Sequence, residues 1–352
     1  MNPAIKNIFL ELEKLKLDAM IVSQPCNISY LTQTKSRDSY LIVSKKKNIY
    51  ITDSRYLEEA KRDLRGCSLR KIEGSVFKAI ASSCKELGLL RVAFEERYLP
   101  FAEYNKIREE LDYSIELIPA HSLVERSRQV KTSEELEKIK KAVSITVKAF
   151  KFIQGFLAPG KKELEVAAEI ERFIRYNGAS TSSFDIIVAS GPNSSFPHHL
   201  TGERRIRDNE PVLIDMGVDY LGYKSDLTRV FFLGKINISA RRIYDIVLKA
   251  QKQAINKIRP GIKASDIDSA ARSYITSHGY GKCFGHSLGH GIGLEVHEEP
   301  SISKREDCKL SPGMVFTIEP AIYIPGKFGV RIEDICVVTR KGVEVISGTL
   351  NK

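Results

Sequence analysis

Phe156-Leu-Ala-Pro-Gly160 and Lys257-Ile-Arg-Pro-Gly261 are one pattern written twice, 101 residues apart. Each closes an amphipathic run on a Pro-Gly pair, which stops a helix, and each is followed by a second amphipathic run. The second runs end at Asn177-Gly178 and His278-Gly279, again 101 residues apart. A strand ending in an acid comes after each copy, Pro211-Val-Leu-Ile-Asp215 and Gly313-Met-Val-Phe-Thr-Ile-Glu319. Two helices and an acid-bearing strand, repeated, predict a duplicated ααβ unit whose strand systems present carboxylates to a shared cleft.

Upstream, Thr132-Ser-Glu-Glu135 is a capping box opening a long helix with Leu136, Ile139, Val143, Val147, Phe150 and Ile153 on one face. The stretch from Glu125 to Lys131 lacks apolar periodicity, so a domain boundary is expected there, dividing the chain into residues 1–125 and 126–352. Before it, apolar segments (Ala19 to Val22, Tyr40 to Val43, Asn48 to Ile51, Arg91 to Phe94, Ser114 to Ile118) alternate with helical stripes at Leu57 to Leu64 and Tyr104 to Leu111. The fold class is α/β. With 352 residues, 42% of them hydrophobic, two packed domains are affordable and disorder is excluded.

Met1 to Lys16 reads as an amphipathic helix with an Ile8/Leu12/Leu15 stripe, interrupted by charges and thus unlike a signal peptide. No apolar run approaches the roughly 18 residues of a membrane span, and a cytoplasmic location without membrane contact is expected. Six cysteines without a C-x-x-C pair are expected to be buried, reduced thiols. The net charge of +11 falls mostly after Glu125, but Lys and Arg are scattered and no nucleic-acid motif accompanies them. No nucleic-acid partner is expected.

Six of the seven histidines lie between His198 and His297. Asp215 and Asp226 flank a strand, turn, strand pattern that returns the second acid beside the first. Both, like Glu319 in Phe-Thr-Ile-Glu-Pro and Glu333 in Val-Arg-Ile-Glu-Asp, sit on apolar strands, where an ionised carboxylate needs a cation. His290 adds one imidazole among glycines. Oxygen-rich ligation with a single nitrogen suits hard or borderline divalent ions, Mn²⁺ foremost, and the number of carboxylates favours two metals.

The ordered set Ile214-Asp-Met-Gly, Ser225-Asp-Leu-Thr-Arg, Gly289-His-Gly-Ile-Gly-Leu-Glu-Val-His-Glu-Glu-Pro300, Thr317-Ile-Glu-Pro and Val330-Arg-Ile-Glu-Asp resembles the pita-bread metallopeptidases, in their Xaa-Pro aminopeptidase and Xaa-Pro dipeptidase (prolidase) branch. Pro25-Cys-Asn-Ile-Ser-Tyr-Leu31 and Ile51-Thr-Asp-Ser-Arg-Tyr56 resemble the creatinase-like N-terminal domain of that branch. The resemblance implies Asp215 as ligand of one metal, Asp226 and Glu333 as bridges, and His290 with Glu319 as ligands of the other. It implies two divalent ions, Mn²⁺ first with Co²⁺, Zn²⁺ or Fe²⁺ as options, and a bridging hydroxide that attacks the carbonyl before proline. Glu319 would shuttle the proton, while His198, His286 and His297 would orient substrate. Arg331 would offset the negative charge or bind a substrate carboxylate. His199, beside His198, reads as a bystander; Asp334 points away; Glu298 and Glu299 read as solvated; Asp53, Arg55 and Tyr56 read as a turn and cap.

The leading expectation is an Xaa-Pro aminopeptidase acting on peptides with proline second, assembled as a homodimer. The alternative is a prolidase restricted to Xaa-Pro dipeptides. A non-catalytic binding module on the same fold is the third reading, disfavoured by the intact ligand set.

Overall fold

Ala19, Met20, Ile21 and Val22 are all buried, which requires apolar cover on both faces of their strand. The computed structural model describes residues 2–352 and divides into two compact units, Met1–Arg128 and Gln129–Lys352. In the first unit, strands β1 (Ala19–Val22), β2 (Ser39–Ser44), β3 (Ile49–Thr52), β4 (Ser68–Lys71), β5 (Arg91–Glu95) and β6 (Glu116–Ala120) form one mixed sheet ordered β4-β3-β2-β1-β5-β6. Met20 and Val22 pack with Ile8, Leu12 and Ile28, whereas Ala19 and Ile21 pack with Ile80, Cys84 and Ile107. Helices α1 (Pro3–Lys14), α2 (Pro25–Thr32), α3 (Leu57–Asp63), α4 (Val76–Glu86), α5 (Phe101–Glu110) and α6 (Leu123–Arg128) complete the unit.

Helix α1 stops at Lys14, leaving Leu15 49% exposed, and the buried stripe is Ala4, Ile5, Ile8 and Leu12. Strand β6 starts at Glu116 because Asp112 holds Ser114 and Ile115 in a turn. The aperiodic stretch after Leu123 is helical through Arg128. Its polar residues are buried for a reason: Asn27 donates to Glu95 and Glu125 and accepts from Arg128 at 2.7 Å. Of the cysteines, all free, only Cys84 and Cys336 are buried. Asp53 accepts from the Arg55 backbone N–H at 2.8 Å ahead of α3, a local turn.

The second unit opens on α7 (Ser133–Phe156). Thr132 Oγ1 accepts from Glu135 N at 3.3 Å, Glu135 Oε2 accepts from Thr132 N at 2.8 Å, and Glu135 Oε1 accepts from Tyr223 at 3.1 Å. Thr132→Ala should therefore lower the stability of this unit by about 1 kcal/mol, read as a shift in urea midpoint at unchanged slope. Helix α8 (Glu163–Tyr176) follows Gly160, at φ +88°, and ends before Gly178, at φ +92°; α9 (Ile238–Lys257) and α10 (Ala264–Ser277) repeat this with Gly261 at +83° and Gly279 at +87°. The duplicated helix pairs are thus real: Gly178 and Gly279 directly follow the C-caps of α8 and α10, and Gly160 and Gly261 each lie three residues past those of α7 and α9.

Between them lie β7 (Thr181–Ser182), β8 (Ile187–Ser190), β9 (Pro211–Met216), β10 (Val218–Tyr220), β11 (Tyr223–Lys224) and β12 (Leu227–Phe232). After α10 come β13 (Gly289–Gly291), β14 (Glu298–Ile302), β15 (Val315–Ile318), β16 (Ala321–Ile324), β17 (Phe328–Arg331), β18 (Asp334–Thr339) and β19 (Gly342–Val345). The main sheets run β12-β9-β8 and β14-β13-β15-β18-β19, with β16-β17 as a separate hairpin. Val212, Ile214, Met216, Val315 and Val337 pack with the α7/α8 side chains, whereas Leu213, Phe316, Cys336 and Val338 pack with those of α9 and α10. Strand alternation sends successive residues to opposite helix pairs, so Asp215 shares the face of Leu213.

Candidate metal centre

Strands β9 and β12 pair antiparallel with Asp215 opposite Thr228, and the β10-β11 hairpin between them returns the chain. That crossing is close. A Cβ on Gly217 would stand 1.8 Å from the Ser225 carbonyl oxygen, so only glycine fits between the two acids. Ser225 Oγ accepts from Val218 N at 3.0 Å and hydrogen-bonds Thr146 at 2.7 Å, which fixes the segment presenting Asp226.

The second half supplies the rest. A Cβ on Gly289 would stand 1.9 Å from the Thr317 carbonyl oxygen, so β13 can lie against β15 there. His290 Nδ1 lies 3.1 Å from the Gly291 carbonyl oxygen, leaving Nε2 at 3.3 Å from Glu319 Oε1 and 3.6 Å from Asp226 Oδ2. Thr317 donates to Glu319 at 3.2 Å. Thr228 Oγ1 donates to Glu333 Oε2 at 2.7 Å and accepts from Arg331 Nε at 3.0 Å. Arg331 also donates to Asp215 Oδ2 at 2.6 Å, to Tyr323 at 2.5 Å and to the Pro197 carbonyl at 3.3 Å.

Three overlapping groups result: Asp215, Asp226 and Glu333; His290, Glu319 and Glu333; and Asp226, His290 and His297, each with its ligand atoms within 4.8 Å of one another. Asp215 Oδ1, Asp226 Oδ1 and Glu333 Oε1 are buried and accept from no donor. Buried carboxylate oxygens without donors are costly, and a cation is what such a set fits.

The electrostatics agree. Burial, and then the neighbouring carboxylates, push Asp226 and Glu333 well above the usual carboxylate range. Burial pushes Glu319 the same way, but His290, followed by His286 and Arg331, outweighs it and holds Glu319 down at about 2. His290 is raised because the Glu319 bond outweighs its own burial. Burial lowers His286 and His297, the latter with help from His290. Four carboxylates facing one arginine leave an excess of negative charge, which divalent cations would neutralise.

His286 Nε2 lies 3.3 Å from the Tyr323 hydroxyl, with Nδ1 4.0 Å from Glu319; the His297 ring stands 4.2 Å from that of His290. His198 is exposed, yet near enough for its charge to act on His297. The histidine doublet divides: His199 Nε2 turns to the fully buried Glu163 at 2.9 Å. Asp334 lies away from the cluster on Arg229, at 2.8 Å. The solvated reading of Glu298 is wrong, because its carboxylate is buried against Lys131 at 2.6 Å, and Glu299 accepts from Gln129 at 2.7 Å. Thr228, Thr317 and Tyr323 escaped the sequence reading, although the two threonines stand two residues from Asp226 and Glu319 and period two puts each on its acid's face.

Residues 137–340 match the profile of Metallopeptidase family M24, and residues 5–130 that of the Creatinase/Prolidase N-terminal domain. An Xaa-Pro dipeptidase of Pyrococcus horikoshii is 36% identical over 99% of this chain and 98% of its own. Among solved structures, an Xaa-Pro dipeptidase from Bacillus anthracis superposes with a TM-score of 0.95 at 40% identity, covering 98% of this chain and 96% of that one. An X-Pro aminopeptidase from Thermotoga maritima superposes at 0.88 with 34% identity, covering 96% and 97%. The fold is therefore a creatinase-like α/β domain followed by a pita-bread domain, and the chain belongs to metallopeptidase family M24.

Proposed function

We propose that the protein is an Xaa-Pro dipeptidase, with Asp215, Asp226, His290, Glu319 and Glu333 holding two divalent ions. The three orphaned carboxylate oxygens support the metal site. The full-length match to Xaa-Pro dipeptidases supports the substrate class and moves the aminopeptidase reading to second place. The similarity to an X-Pro aminopeptidase keeps that second reading in contention. Mn²⁺ suits the oxygen-rich donor set best. A homodimeric state and a cytoplasmic location belong to the same proposal and rest on the family resemblance.

Bound there, two divalent ions would supply a nucleophile from water at neutral pH and a Lewis acid for the scissile carbonyl. Asp215 would hold one ion, Asp226 and Glu333 would bridge, and His290 with Glu319 would hold the other. Glu319 Oε1 is occupied by Thr317 and His290, so Oε2 is the oxygen that would accept a proton and deliver it to the prolyl nitrogen. His198, His286 and His297 would orient the peptide carbonyl and steady its developing negative charge. Arg331 already spends four of its five N–H groups on Asp215, Thr228, Pro197 and Tyr323. That commitment favours a fixed counter-charge to Asp215 over a binder of the substrate carboxylate.

The test is hydrolysis of an Xaa-Pro dipeptide and an Xaa-Pro-Yaa-Zaa peptide by chelated protein, with and without added Mn²⁺, with proline-to-alanine peptides as controls. Metal-dependent cleavage of the dipeptide alone is expected. Release of the first residue from the longer peptide would establish the aminopeptidase instead, and cleavage of neither would overturn both.

A further inference from the structure

Gln251, on α9, is fully buried in a helix face that also carries Ile243, Tyr244, Val247, Ala250, Ala254 and Ile255. A primary amide in such a face must place its N–H groups or leave them unsatisfied at considerable cost. It places both. Nε2 donates to the carbonyl oxygens of Ile318 at 3.0 Å and Ile332 at 3.1 Å, and Oε1 accepts from Lys352 Nζ at 2.7 Å.

Those two carbonyls belong to the peptide planes that lead directly into Glu319 and Glu333. A peptide plane is rigid, so holding its oxygen and its N–H fixes where the next Cα begins. The N–H ends are held as well: Glu319 N donates to Leu288 O at 2.8 Å and Glu333 N to Thr228 O at 3.2 Å. Both planes lie where strand pairing passes from β15 and β18, with Ile318 opposite Asp334, to the β16-β17 hairpin, with Ala321 opposite Arg331. One side chain thus spans the two strands at the place where ladder pairing changes sheet.

We propose that Gln251 is a positioning residue for the metal pair, clamping the backbone of Glu319 and Glu333 at a fixed separation, with Lys352 fixing which end of its amide faces the strands. Lys352 also pairs with Asp334, which ties that orientation to the Arg229 ion pair. The inference rests on the metal-centre reading, and its consequence is metal affinity rather than chemistry. Residues that orient metal ligands typically change affinity by about 10–100-fold when replaced.

Gln251→Met keeps the volume and removes both donors; Lys352→Met leaves both donors in place and removes the orienting contact together with the Lys352 pairing to Asp334. Each is chelated, checked for fold by circular dichroism, and titrated with Co²⁺ followed by visible absorption and calorimetry. Val247→Ala, which loosens the same helix at a side chain that donates no hydrogen bond to either plane, serves as the packing control. The expected result is a midpoint raised about tenfold in Gln251→Met, a smaller rise in Lys352→Met, and none in Val247→Ala. Superposition of the Lys352→Met and Gln251→Met titrations on that of the parent, or an equal rise in Val247→Ala, would overturn the inference. Should Gln251→Met fail to fold, Lys352→Met decides alone, a rise supporting the clamp and superposition overturning it. Failure of the parent itself to take up Co²⁺ would overturn the metal-centre reading and this inference with it.

Discussion

Asp226→Asn is expected to lower kcat/KM on an Xaa-Pro dipeptide by about a thousandfold or more, the equivalent of roughly 4 kcal/mol of transition-state stabilisation. Asp226 carries one buried oxygen with no donor, and its other oxygen lies 3.6 Å from His290. An amide there offers a cation one neutral oxygen, and its NH₂ group faces the ion with the wrong sign. Stability should move the other way in the absence of metal. Burial and neighbouring carboxylates already disfavour the ionised acid, so the chelated variant should unfold at the same temperature as the chelated parent or above it. If the folded parent binds Mn²⁺ as proposed, added Mn²⁺ should then raise its midpoint and leave the variant nearly unchanged. Steady-state kinetics and thermal unfolding with and without Mn²⁺ check both halves. Activity within tenfold of the parent would remove Asp226 from the site.

Arg229→Met is expected to cost the second unit about 3 kcal/mol or more, among the largest single losses this chain can show. The Arg229 guanidinium is 3% exposed and uses all five N–H groups: to Thr228 O, Glu333 O, Leu350 O, Asn351 O and Asp334 Oδ1. Methionine leaves four carbonyls short of a donor and strips the fully buried Asp334 of its arginine. Urea unfolding of chelated protein measures the loss as a fall in midpoint. The double variant Arg229→Met/Asp334→Leu should recover part of it, because removing both members of a buried pair is far cheaper than removing one. No recovery would mean that the lost carbonyl bonds, and not the orphaned acid, dominate.

How far the site was legible depended on whether a residue's partner was local. Asp215 and Glu319 were readable because an acid closing an apolar strand is conspicuous, and the pairing of Asp226 with Asp215 because a single hairpin separates them. Glu298 was misread for the opposite reason. Its partner Lys131 lies 167 residues away, so nothing in Glu-Val-His-Glu-Glu-Pro distinguishes a buried ion pair from a solvated acid. The stretch after Glu125 shows the same effect, since its helix buries Glu125 and Arg128 against Asn27, about a hundred residues upstream. Gln251 stood in plain view as the one amide in an apolar helix face. It escaped the sequence reading, because helical periodicity carries no information on which distant carbonyls a buried amide reaches.

By itself, the sequence determined the duplicated helix pairs, the two-part organisation and the acid-bearing strands, all of which rest on local rules of capping, alternation and turn formation that act within a few residues. Tertiary structure alone decided that the bystander His199 has Glu163 as its partner, that Arg331 is consumed by Asp215 and Tyr323, and that Gln251 joins the two segments leading into Glu319 and Glu333. The physical reason is that a buried polar group takes whichever partner the packing of distant segments brings within about 3 Å. That choice is made by the assembled core, after local propensity has been satisfied.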